Sequence, residues 1–295
     1  MKKHGSIKRW LLVLLLFGAS LLFTVYPWVA NYLFENRTDS VANAIDQTAQ
    51  EIDTSEQDAA LKAAYEYNRK LATGHVALVD PFIEEKNAAE ADEEADEYYA
   101  LLNVGNDGVM CTIEIPVIDV YLPVYHGTSD DVLNKGVGHL QGTSLPIGGE
   151  STHSVLTGHT GLSKAKLFTD LTELKKEDIF FVHIFGETLA YRVEGMQVVL
   201  PDELDDLTVQ SGQDLCTLVT CTPYGVNSHR LLVRGVRTDY QEAKDEVAKE
   251  PDRKVESNWM NEYKRALCLS IFCFISILAV VQFIRVVRTK RNQYI

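Results

Sequence analysis

The chemistry-bearing stretch of this 295-residue chain is Leu218-Val-Thr-Cys-Thr-Pro-Tyr-Gly-Val-Asn-Ser-His-Arg230, followed by Leu-Leu-Val-Arg-Gly. It reads as a strand ending at Cys221, a loop marked by Pro223, Gly225 and Asn227, and a second strand from about His229. A cysteine at the end of a strand presents its sulfur at the rim of the sheet. Arg230, nine positions on, heads the return strand and can lie opposite it. A guanidinium there favours the thiolate, and its fixed fork of donors can hold an oxyanion. A thiol nucleophile also needs a proton partner able to protonate a leaving amine, which points to an imidazole.

His159 is the leading candidate for that imidazole. It follows the apolar run Ser154-Val-Leu156 and lies between two glycines in Leu156-Thr-Gly-His-Thr-Gly-Leu162, which suits a side chain held in a cleft. His75, His126, His139, His153, His183 and His229 compete for the role. In a strand neighbours point to opposite faces, so if Arg230 faces Cys221, His229 faces away. Cys216 lies five residues before Cys221 on one extended segment, roughly 16 Å away at about 3.3 Å per residue. A disulfide tolerates only about 7 Å between Cα atoms. Cys221 is therefore expected to be a free thiol. Cys111 heads a strand, and Cys268 and Cys273 sit in an apolar run as ordinary apolar residues.

Those side chains need a scaffold, and composition permits one. Apolar residues make up 46% and charged residues 24%, which excludes wholesale disorder. Five scattered cysteines with no CxxC pair exclude a disulfide scaffold and a zinc ribbon. A formal charge of −14 argues against a nucleic-acid partner.

The charge is unevenly distributed. Leu11 to Phe34 contains no charged residue, and neither does Ala266 to Ile284. Both runs are near or beyond the roughly 20 residues a membrane helix needs. Lys2, Lys3, Lys8 and Arg9 precede the first, and Arg285, Arg288, Lys290 and Arg291 follow the second. The expectation is two transmembrane helices at 11–34 and 266–284, basic cytoplasmic tails at 1–10 and 285–295, and an extracellular middle. Removing the eight tail cations leaves 28 − 8 = 20 Lys and Arg against 42 Asp and Glu, or about −22 for that middle. Trp10, Tyr26, Trp28 and Tyr32 suit the lipid interface. The first run is longer than a signal-peptide core and has no clear A-x-A stop, so an uncleaved anchor is expected.

The middle divides by composition. Residues 37–72 have helical composition with no interior Gly or Pro. Val76 to Ile83 breaks that pattern, and Glu84 to Glu97 is an acidic tract that reads as solvated surface. From about Met110 the period becomes two, as in Ile113, Ile115 and Val117, in Leu189, Tyr191 and Val193, and in Leu215, Thr217, Val219 and Cys221. Short strands separated by Gly-bearing turns suggest a closed antiparallel barrel or a sandwich. The charged stretch 239–265 reads as a linker.

Thr217-Leu-Val-Thr-Cys-Thr-Pro223, with Arg230 downstream and Thr157-Gly-His159 upstream, resembles the sortases, cysteine transpeptidases of the Gram-positive cell surface. Ile113-Glu-Ile-Pro116, Leu122-Pro-Val-Tyr-His-Gly127 and Gly136-Val-Gly-His-Leu140 are similar to that family's early barrel. The likeness covers 98–238 and implies a mainly β, closed sortase-type barrel as the catalytic domain. It implies His159, Cys221 and Arg230 as the catalytic residues, with neither metal nor cofactor. The second apolar run, and Asp80-Pro81-Phe82 within an N-terminal helical region at 35–97, resemble the pilin-polymerising class C. There the lid Asp pairs with the active-site Arg and the aromatic residue covers the Cys. Ser228 stands where many class C members have Thr, a small difference between two hydroxyl residues.

The resemblance implies cleavage of an LPxTG-like signal between Thr and Gly through a Cys221 thioester. Transfer to a lysine amine of another pilin subunit would follow. The alternative within the family is a housekeeping-type sortase that attaches surface proteins to cell-wall peptide; the lid and second run weigh against it. A sorted surface protein needs a pentapeptide signal before its apolar tail, and residues 238–265 contain only Pro251. A membrane-anchored cysteine hydrolase would share the nucleophile and release to water.

Overall fold

The computed structural model describes residues 3–74, 78–82, 93–103, 105, 107–162, 164–250, 253, 255 and 257–291. They fall into two compact units, one of Met1–Thr24 with Glu256–Ile295, the other of Val25–Val255. His75, part of the 76–83 break and most of the 84–97 acidic tract lie outside the described residues.

In the first unit, parts of helices α1 (Lys3–Glu51) and α6 (Asn258–Arg291) expose leucines, isoleucines and phenylalanines along their length. Phe17 and Phe274 stack with ring centroids 4.2 Å apart. By length and composition both helices are able to cross a bilayer. Farther along α1, within the second unit, Asn31 is buried and Phe34 packs on that unit's core.

The second unit is built on eight strands: β1 (Val109–Ile115), β2 (Val120–His126), β3 (Val137–His139), β4 (Thr152–Thr157), β5 (Ile179–Ile184), β6 (Glu187–Val199), β7 (Asp214–Thr222) and β8 (His229–Thr238). They close in the order β1-β2-β3-β4-β7-β8-β6-β5. The closed barrel expected from the short period-two runs is present, but it is not wholly antiparallel. β2 pairs with β3, and β4 with β7, in parallel. Period-two patterning marks a strand and one buried face; it carries no information on partner direction. The parallel pairs require crossovers, one through the short helix α4 (Asp130–Leu133), the other through everything from 158 to 213.

Alternation decides what faces inward. Leu156, Cys216, Leu218, Leu231 and Val233 join the interior core, whereas Val155, Val219 and Leu232 form a second apolar cluster outside the barrel. The strand β7 is thus buried on both faces.

Helical elements clamp this barrel. Helix α2 (Thr54–Thr73) starts where the Asp53 carboxylate accepts from Ser55 N at 2.8 Å. From it the buried Asn68 amide meets both backbone groups of Leu145, donating to O at 3.1 Å and accepting from N at 2.7 Å. Helix α3 (Glu93–Ala100) brings in Tyr98, whose hydroxyl accepts from Gly127 N at 2.9 Å and sits 3.0 Å from His139 Nδ1.

The stretch expected to be a linker contains α5 (Tyr240–Lys249), capped by Asp239. Ala243 and Val247 pack on Ile179, Phe181 and Ala190, and Glu246 forms a two-pronged pair with Arg192 at 3.1 and 2.7 Å. Arg253 reaches Asp178 at 2.6 Å, and Val255 N donates to Val117 O at 2.9 Å. Its apolar stripe is only about two residues wide, which is why charge dominates its composition.

Candidate active site

The β7–β8 hairpin sets two of the expected site residues opposite each other, since Cys221 and Arg230 are direct partners in its register. The turn is closed by Val226 N and Asn227 N, which donate to Pro223 O at 3.1 and 2.9 Å. Cys221 shares the outward parity of Val219, and Arg230 that of Leu232, so both emerge at the end of the outer apolar cluster.

β4 supplies the third. Its parallel pairing with β7 aligns Thr157 with Val219. The alignment continues past the strand, with Gly158 N donating to Val219 O at 3.0 Å and Thr220 Oγ1 donating to Gly158 O at 2.7 Å. Two residues on from Thr157 and Val219, His159 comes level with Cys221. Gly158 is required by space, since a Cβ there would lie 2.7 Å from the Phe168 ring. Phe168 N donates to His159 O at 3.1 Å, Gly161 N to Thr169 Oγ1 at 3.1 Å, and Lys166 N to Asn31 Oδ1 on α1 at 2.7 Å. The His159 loop is thereby tied down at both ends.

Residues 78–82 lie across this constellation. Asp80 accepts from Arg230 Nε at 2.8 Å and from Nη2, while Arg230 Nη1 donates to Asn227 O and His229 O, both at 3.1 Å. The Phe82 ring lies 5.7 Å from the His159 ring, and the Arg230 guanidinium carbon 5.0 Å from the Phe82 centroid. Pro81 forms the turn between them. Leu78 and Phe82 also pack on the outer apolar cluster. Cys221 is 7% exposed beneath this cover.

The electrostatics differ from the expectation of an Arg-stabilised thiolate. Burial pushes the Cys221 thiol up to about 11; Arg230 pulls the other way, and Asp80 adds to the rise. Burial likewise holds His159 below its usual range, opposed by Asp130 and reinforced by Lys164. Burial also opposes the charge on Arg230, but its bonds to Asp80 and the nearby Cys221 and Asp80 charges carry its pKa upward. At neutral pH the covered site holds a thiol, a neutral imidazole and a guanidinium already paired.

Four of the competing histidines are engaged elsewhere. His126 meets Gly108 O and Leu101 O, His139 meets Tyr98 and Ser144 O, His183 meets Glu114 and Thr188, and His229 meets Ser228. Burial lowers the His139 pKa to about 4. Cys111 and Cys216 form no disulfide and are buried in the interior core, on the opposite face from Cys221. Among the described residues no three His, Cys, Asp or Glu side chains gather closely enough to hold a metal. The hold of Asn31 on the His159 loop was not legible in the sequence, where Asn31 sits inside an apolar run.

A family model described as the sortase domain matches residues 113–238. The crystal structure of sortase C-1 from Actinomyces oris is 49% identical, with the match covering 62% of this chain and 98% of that one at a TM-score of 0.57. The chain belongs to the sortase family. A second solved relative, sortase C of Streptococcus pneumoniae, is 40% identical over 68% of this sortase and 97% of its own chain, at a TM-score of 0.60; its structure bears on catalysis and pilin substrate specificity. These neighbours place the sortase in class C. Sortase A of Bacillus anthracis is 30% identical over 127 residues, 43% of this chain. The match spans 59% of that curated relative, less than two thirds of its length.

Proposed function

We propose that this sortase is a membrane-anchored cysteine transpeptidase that joins pilin subunits, with Cys221 as nucleophile, His159 as proton carrier and Arg230 as oxyanion holder. The observation that carries the reading is the register of one hairpin and one parallel pair, which sets all three side chains at the same end of the same barrel face. Asp80, Pro81 and Phe82 act as a lid over them.

The reaction starts when the lid leaves. Arg230 is then released from Asp80, and Cys221 loses a nearby negative charge and part of its burial, so its proton passes to His159. The thiolate attacks the Thr–Gly carbonyl of an LPxTG-like signal, and the oxygen's charge is held by guanidinium donors that had been occupied by Asp80. His159 gives its proton to the departing glycine amine, leaving a thioester on Cys221. A lysine amine of another subunit then attacks and yields its proton to His159. The thiolate departs and takes that proton back, and an isopeptide bond remains.

The pilin substrate is supported by the pilin specificity named for the Streptococcus pneumoniae relative. The two apolar helices, with basic residues beyond each, support two membrane spans, cytoplasmic termini and an extracellular barrel. In this arrangement 98–238 is the catalytic domain, and α5 with residues 250–257 connects it to the second span.

The deciding experiment incubates the sortase with an LPxTG-like peptide, with and without a lysine-bearing pilin. Mass spectrometry should find a Cys221 thioester and, with acceptor present, a lysine isopeptide product. Products of hydrolysis alone under both conditions would refute transpeptidation.

A further inference from the structure

His153 is fully buried, two turns of the strand alternation before Thr157 on β4, and it faces outward with Val155. Its ring spans two elements that no backbone pairing joins at this point. Nδ1 lies 2.9 Å from Thr208 O in the loop 200–213, and Nε2 lies 2.7 Å from Thr217 Oγ1 on the nucleophile strand β7. A carbonyl only accepts, so Nδ1 carries the proton, and Nε2 accepts from the Thr217 hydroxyl. One neutral tautomer satisfies both partners. Burial favours that neutral form, as does the Arg234 charge, against the opposing pull of the Thr208 bond and Asp206.

What the ring holds matters for the site. The loop's Leu204 and Leu207 pack on the outer apolar cluster of Val155, Val219 and Leu232, the same surface on which the lid's Leu78 and Phe82 rest. That surface leads along β7 to Cys221, which shares the outward parity of Val219, and the 200–213 loop borders it. The loop is not pressed flat against the barrel. A cavity of about 180 Å³, lined by Met196, Asp206, Leu207, Thr217, Leu232 and Arg234 among others, lies under it. Besides that packing, polar tethers hold the loop: Gly212 N to Ser151 Oγ at 2.9 Å and Thr152 N to Gln213 O at 3.0 Å near its end, and His153 at its middle.

We propose that His153 is a positioning residue that, through its bond to Thr208, latches the 200–213 loop to β4 and so sets the groove in which the sorting signal's apolar residues are bound, the Thr217 bond serving to fix the ring's tautomer. This deepens the transpeptidase reading and rests on it for the identity of the groove's occupant. The latch acts on peptide binding and leaves the chemistry at Cys221 alone.

The two hydrogen bonds are separable by substitution. An asparagine amide reaches the position of Nδ1 and keeps the donor to Thr208 O. A glutamine reaches the position of Nε2 and keeps only the acceptor for Thr217. In the full chain, His153→Gln and His153→Ala are expected to raise KM for an LPxTG-like peptide about tenfold, the equivalent of one net hydrogen bond of roughly 1.4 kcal/mol. Their kcat should stay within about twofold of the parent, while His153→Asn retains the parental KM. Amide exchange across 204–212 should accelerate in the Gln and Ala variants and not in Asn. Equal KM values for the Asn and Gln variants would overturn the latch, as would a fall in kcat at constant KM. If the Ala variant does not fold, the Asn and Gln pair decides. Should the parent process no peptide, the transpeptidase reading fails by itself, and the exchange contrast between Asn and Gln still decides whether His153 holds the loop.

Discussion

Asp80 and Arg230 stand 150 positions apart in the chain and meet fork to fork, with side chains only 2% and 7% exposed. A buried pair of this kind gains little net energy over an apolar replacement, but losing one partner strands a buried charge at a cost of about 3–5 kcal/mol. The pair is therefore a poor stabiliser and a sensitive switch. It occupies the donors that the proposed mechanism needs for the oxyanion.

The first expectation concerns lid closure. Asp80→Asn keeps the shape and removes the charge, so the closed arrangement loses its compensation for Arg230. Alkylation of Cys221 by iodoacetamide at neutral pH should accelerate by about one to two orders of magnitude, the part of the 3–5 kcal/mol not recovered by hydration of the freed guanidinium. Phe82→Ala, which removes packing on His159, Arg230 and the outer apolar cluster but leaves the ion pair, should give a smaller increase. An unchanged rate in both variants would show that residues 78–82 do not gate the thiol.

A second expectation follows from the Cys221 thiol, raised from 9.0 to about 11. A group whose pKa is raised on folding contributes stability below its unfolded value and loses it as pH climbs through the folded one. For Cys221 that window runs from about 9 to about 11. The alkylation rate of the parent should thus keep rising with pH to a midpoint near 11. In Asp80→Ala the midpoint should move down, because the carboxylate's contribution is gone and Arg230 acts unopposed. A parental midpoint below 9 would contradict the burial argument.

How far the sequence reveals this site depends on distance along the chain. Cys221 and Arg230 sit on one hairpin, so strand alternation and turn residues were enough to oppose them. His159 is brought in by a parallel pair, and no local pattern announces which strand neighbours which; the apolar run before it and its flanking glycines made it the leading candidate among seven histidines, and the family resemblance supported that choice. Asp80 and Phe82 come from still farther off, in a tripeptide that by itself signals only a turn. Burial against charge was also invisible: the guanidinium was expected to lower the thiol's pKa, and desolvation outweighs it. The helix α5 was hidden by its charge, since it packs on the barrel through Ala243 and Val247 and the edge-on contact of Tyr240 with Phe181, too few apolar positions to mark a stripe. His153 was weighed only as a catalytic competitor, because a ring that joins two backbone segments leaves no periodic trace.

The third expectation tests the guanidinium's geometry. Arg230→Lys retains a positive charge but not two coplanar donors. Loss of one oxyanion donor elsewhere costs about 100- to 1000-fold in kcat, and a comparable loss in peptide transfer is expected here. KM should change little, since the contact strengthens in the transition state. Because Lys also weakens the grip on Asp80, alkylation of Cys221 should rise in the same variant. Faster alkylation with slower transfer separates oxyanion holding from lid holding, and full transfer activity would refute the former.

The last expectation reaches back to α1. Asn31 Oδ1 accepts from Lys166 N at 2.7 Å, and its amide donates to Glu35 at 2.9 Å. Lys166 belongs to the loop that also fixes His159 through Phe168 N. Asn31→Leu removes the acceptor and leaves a part-buried backbone N–H unsatisfied, at about 1–3 kcal/mol. The cost falls on the segment carrying the imidazole, so transfer should slow several-fold in kcat, while thiol alkylation, which uses His159 for one proton transfer where peptide transfer uses it in every step, should slow less. A chain truncated before Phe34 should show the same split, since it lacks Asn31 altogether. Equal losses in alkylation and transfer would mean that α1 merely stabilises the barrel, and no loss in either would mean that the His159 loop holds its shape without it.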